Sequence, residues 1–96
     1  MPASTATVPT LHASRYLQQL CKHWAHKLEV SFTPERGTVK LPDGALATME
    51  AGAEDLTVRI EAEDADTVER MKGVVARHLD RFAFREAPLP FDWRDA

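Results

Sequence analysis

Apolar positions along the chain change their spacing four times, and each change marks an element. From Leu11 to Leu28, Leu17, Leu20, Cys21, Trp24 and Leu28 follow i, i+3, i+4, i+7 and i+11, the spacing of a helix that lays one stripe on a core. After Leu28 the period becomes two. Val30 and Phe32 alternate with Ser31 and Thr33, Val39 and Leu41 follow in Thr38–Leu41, and Leu56, Val58, Ile60 and Ala62 alternate with Thr57, Arg59 and Glu61. Residues 45–51 form a weaker, alanine-rich strand between them. Pro34-Glu35-Arg36-Gly37, Pro42-Asp43-Gly44 and Gly52–Asp55 separate these runs as turns, because proline presets φ and glycine permits a left-handed exit. Val68, Met71, Val75, Leu79 and Phe82 then restore the helical period. That helix starts near Asp64 or Asp66, and Asp66 with Glu69 has the spacing of a capping box.

The two ends are less regular. Residues 1–10, MPASTATVPT, are small, polar and proline-bearing, and read as a mobile N-terminal arm, with Thr10, ahead of Ser14, as the cap of the first helix. At the other end Leu89, Phe91 and Trp93 alternate with Pro90, Asp92 and Arg94, which predicts a fifth strand or an extended arm confined to an edge by its prolines. Residues 11–94 are therefore expected to form one α+β domain. Its architecture is a two-layer sandwich, an antiparallel four- to five-stranded meander with both helices on one face. The other face would show Ser31, Thr33, Thr38, Lys40, Thr57, Arg59 and Glu61.

Composition narrows the class without changing this outline. An apolar fraction of 44% and a charged fraction of 28% are those of a soluble globular protein. The net charge of −3 speaks against a nucleic-acid binder with a generally basic surface. No stretch approaches the roughly 18 apolar residues of a membrane span. One cysteine leaves no internal disulfide, and the first residues lack the pattern of a secretory signal, so the expected location is cytoplasmic.

The first helix holds three of the four histidines. Its far side carries His12, Tyr16, Gln19, His23 and His26, with no aliphatic residue among them. This row is the candidate surface for a ligand or a protein partner. His23 and His26, at i and i+3, could share a metal ion as two ligands, whereas a helix sets Cys21 and His26 roughly 140° apart, too far for one ion. Cys21, between Leu20 and Trp24, reads as a core residue. Catalysis through it would need a base such as His78 on the second helix. The aromatic tail or the open sheet face could instead carry self-association into a homodimer. No Ser-His-Asp, glycine-rich phosphate or Cys-x-x-Cys signature is present.

Two segments, HASRYLQQLCKHWAHKLEVSF near the start and VVARHLDRFAFRE near the end, resemble an uncharacterised bacterial family, domain of unknown function 2218. The resemblance spans roughly residues 10–94. It maps characteristic positions to His12, Ser14, Arg15, Tyr16, Cys21, His23, His26 and Lys27, and to Arg77, His78, Phe82, Phe84 and Arg85. The proline-flanked PLPFDW departs from the pattern. Relatives attached to siderophore-interacting ferric reductases imply a link to iron handling. The activity and any cofactor stay open. A binding or accessory module is the leading expectation, ahead of a small Cys21/His78 enzyme and a self-associating domain.

Overall fold

The computed structural model describes residues 2–96. Its elements run β1 (Ala3–Pro9), α1 (Ala13–Trp24), β2 (Glu29–Phe32), β3 (Arg36–Lys40), β4 (Leu46–Ala51), β5 (Asp55–Glu61), α2 (Ala65–Phe82) and β6 (Arg94–Asp95). The strands make one antiparallel sheet in the order β2-β3-β4-β5-β1-β6. Both helices cover the same face, so the expected α+β sandwich is the observed one, with six strands. The meander β2 to β5 lies where the alternation placed it, and its registers put Val30, Val39, Ala47 and Ile60 in one cross-strand row under the helices. Here α1 packs over β2, β3 and β4 while α2 packs over β5 and β1.

The N-terminal segment departs from expectation. Residues 3–9 are no arm: they form β1, inserted between β5 and β6, and pair with β5 over seven residues from Ala3↔Glu61 to Pro9↔Asp55. Ser4, Ala6 and Val8 face the helices and are buried. Only Val8 among them is strongly apolar, so hydropathy gave little sign of burial. The side chains can be small because α2 passes over this strand and fills the layer above it. Met1 lies outside the described residues.

The C-terminal end departs less. Leu89 is buried in the core and Phe91 and Trp93 pack against it, their rings stacked at 5.6 Å. The ladder, however, is confined to Arg94 and Asp95, which pair with Thr5 and Ser4. Pro88 and Pro90 have no N–H to donate, so the segment before Arg94 joins no ladder. What holds it is Leu89, whose amide donates to Asp80 at 3.0 Å. The tail thus packs on its own chain.

Helix termini also shift. α2 is capped by Asp64, whose carboxylate accepts from the Thr67 amide at 2.7 Å, so Asp66 lies inside the first turn and not at the cap. In the turn before β4, Asp43 and Gly44 both take positive φ, 63° and 77°, and Arg70 of α2 reaches Asp43 at 3.1 Å. Across the open face of the sheet, Ser31, Thr38, Thr48, Arg59, Thr5 and Arg94 fall in one cross-strand row.

Candidate functional site

Helix α1 is shorter than its pattern. It begins at Ala13 and ends at Trp24, and His12 occupies the cap position with no side-chain hydrogen bond of its own. Thr10 therefore does not cap the helix. Its hydroxyl oxygen accepts from the His12 amide at 3.1 Å and its hydroxyl donates to Glu86 at 3.0 Å. Leu17, Leu20, Cys21 and Trp24 are buried as the stripe predicts.

Tyr16 is buried as well, contrary to its assignment to the polar row. At 100° per residue it lies roughly 40° from Leu20, at the edge of the apolar stripe, and the turn after α2 closes over that edge. Its hydroxyl donates to the same Glu86 carboxylate oxygen that Thr10 uses. Burial first, and then the adjacent carboxylate, raise the phenol above its ordinary range. Glu86 is shifted the other way: the bond from Tyr16, that from Thr10 and the nearby His12 hold it below the usual carboxylate range.

This junction forms the floor of a concavity of about 450 Å3 between the first half of α1 and the end of α2. His12, Tyr16 and Gln19 line it from α1, together with Arg15, and Phe82, Phe84, Arg85 and Glu86 line it from the other side. The structure thus brings together three of the five residues of the polar row. Among the described residues five ion pairs form, and neither Arg15 nor Arg85 takes part in one. Phe84 is 71% exposed, with the Arg85 guanidinium 5.8 Å from its ring centre.

The other two residues of the row lie elsewhere. His26 sits in the turn beyond the end of α1, three residues after His23 and outside the lining of the concavity. His23 packs instead at the seam of the helices, its ring centre 5.9 Å from that of His78 and 5.8 Å from that of Phe82. Among the described residues no three His, Cys, Asp or Glu side chains converge as a metal cluster.

The Cys21/His78 pairing is likewise not assembled. A Cβ added to Gly37 on β3 would lie 2.7 Å from the Cys21 sulfur, so the thiol is turned to the sheet. Burial pushes its pKa up to about 11, away from a reactive thiolate. His78 packs on Trp24, ring centres 5.1 Å apart, with Nδ1 2.6 Å from the Val74 carbonyl oxygen of its own helix.

Reading the residues for periodicity alone misses Arg15, Phe82, Phe84, Arg85 and Glu86 as site residues. The family resemblance does mark the first four. For Glu86 no local signal existed, since it meets Tyr16 across 70 positions of sequence.

An antiparallel sheet carrying two helices on one face, with this concavity where they meet, defines a two-layer α+β domain. The chain belongs to the family described as "Uncharacterized protein conserved in bacteria (DUF2218)", whose model matches residues 5–94. A solved structure, the NMR structure of PA4090 from Pseudomonas aeruginosa, is similar with a TM-score of 0.82 and 38% identity. The match covers 98% of this chain and 96% of that one. No curated protein matches significantly. Among the described residues no helix is long and apolar enough to cross a membrane.

Proposed function

We propose that the protein is a binding or accessory module of the cytoplasm that docks a ligand at the concavity between α1 and the end of α2. One observation carries this reading. Residues far apart in sequence converge there on a floor fixed by the Thr10–Glu86–Tyr16 hydrogen bonds, around about 450 Å3 of open space. That volume lies within the range of small-molecule sites. Apolar rings stand beside polar groups that have no partner in the fold, a combination that suits orientation as well as affinity.

The site so read is narrower than the polar row: His12, Tyr16 and Gln19 belong to it, whereas His23 and His26 do not. A role in iron or siderophore metabolism rests on the family resemblance. In this site it would mean holding a chelate whole, with the iron ligated by the chelator and not by the protein.

The test is a nitrogen–proton NMR screen of the chain against small-molecule fragments and a ferric siderophore. Saturable shifts are expected at His12, Gln19, Phe84 and Arg85 and not at His26, and Phe84→Ala is expected to weaken binding at least tenfold while leaving the spectrum folded. Shifts centred on His23 and His26 instead, or none at the concavity, would remove the proposal.

A further inference from the structure

The charge and shape of this concavity restrict its ligand, an inference that rests on the reading above. Two guanidinium groups face one carboxylate in its lining, an excess of one positive charge among the arginines and glutamate there in a chain whose total is −3. The carboxylate does not neutralise the arginines. Glu86 spends one oxygen on two neutral hydroxyls, and no ion pair among the described residues includes Arg15 or Arg85.

A guanidinium is a planar fork that matches a carboxylate bidentately. Arg85 lies against the Phe84 ring, so its fork is held beside an aromatic surface. Phe82 adds apolar area to the same wall, and the Tyr16 ring adds more from the α1 side. We infer that the site takes a small aromatic carboxylate, its charge on Arg15 and Arg85 and its ring against Phe82 and Phe84. A monoanion matches the single net charge. A dianion such as inorganic phosphate would face the Glu86 carboxylate without using the rings.

The experiment titrates the unaltered chain with 2-naphthoate, 2-naphthamide and inorganic phosphate at fixed ionic strength, following backbone amide shifts by NMR. Naphthoate is expected to saturate with shifts at Gln19, Phe84 and Arg85, and the amide and phosphate to bind at least tenfold more weakly. Arg15→Gln and Arg85→Gln are each expected to lose at least tenfold in naphthoate affinity, while Arg77→Gln, outside the concavity, keeps it.

Equal affinity for acid and amide overturns the anion assignment, and phosphate binding as tightly as naphthoate overturns the aromatic one. An equal loss in Arg77→Gln reduces the effect to net charge and also overturns it. In each of these cases the concavity still stands as a site. If naphthoate is silent while an unrelated fragment binds there, only the ligand class fails. If nothing perturbs the concavity, the proposed function fails with it. The acid–amide comparison needs no variant and decides the question even if the arginine substitutions unfold the chain.

Discussion

At the scale of single residues, two contacts decide more than their neighbours do. The first is the Tyr16 hydroxyl on Glu86. Tyr16→Phe keeps the ring and removes one donor to a charged acceptor, which is expected to cost about 1 kcal/mol after allowing for the solvent around Glu86. The sign with pH follows from the depressed Glu86 pKa. Its contribution is fully present above the unfolded carboxylate value of about 4.3 and is lost as pH falls through the lower folded value. Urea midpoints should therefore separate wild type and Tyr16→Phe at pH 7 and converge toward pH 3 and below. A gap that persists in acid would show that the bond does not depend on the carboxylate charge. The second contact is Cys21 on Gly37. Gly37→Ala would press a methyl group within 2.7 Å of the sulfur, and overpacking of this kind costs about 1–3 kcal/mol. In a Cys21→Ala background the same substitution should cost less, a coupling that a double-mutant cycle measures directly.

At the scale of elements, the helix starts test the difference between pattern and structure. Asp64, not Asp66, satisfies a free amide at the start of α2, and the Thr67 bonds hold its carboxyl below the usual range. Asp64→Ala is expected to lower the thermal midpoint clearly at neutral pH, and Asp66→Ala to leave it nearly unchanged. The converse ranking would restore the Asp66 cap. Strands with strong alternation, β2, β3 and β5, were legible because Val, Ile, Leu and Phe mark the buried side. β1 was not, because Ala and Ser fill its inward positions and Pro2 and Pro9 bracket it like a linker. Tyr16 was misassigned for a related reason: a wheel gives its angle, but only the turn after α2 decides whether that angle is covered. The site was legible on its α1 side and illegible beyond Phe82, where the helical period stops and Glu86 meets its partners through the fold alone.

At the scale of the whole molecule, the position of β1 beside β6 has a topological consequence. The Ala96 amide donates to the Ala3 carbonyl at 3.0 Å, so the two ends of the described chain lie side by side, next to the β6 edge of the sheet. The fold is nearly a closed loop of chain, and which bond happens to be open matters little to its layers. A few glycines joining the ends, with the chain opened at the exposed 42–44 turn, should give a circular permutant with the same amide spectrum away from the new ends and a measurable loss of stability. Failure to fold would mean that the β1–β6 edge does not tolerate a join between residues 3 and 96. If the permutant folds, the pairing of β1 with β5 no longer depends on the order in which the two strands are made. The concavity, far from the cut in sequence, should then keep its amide shifts.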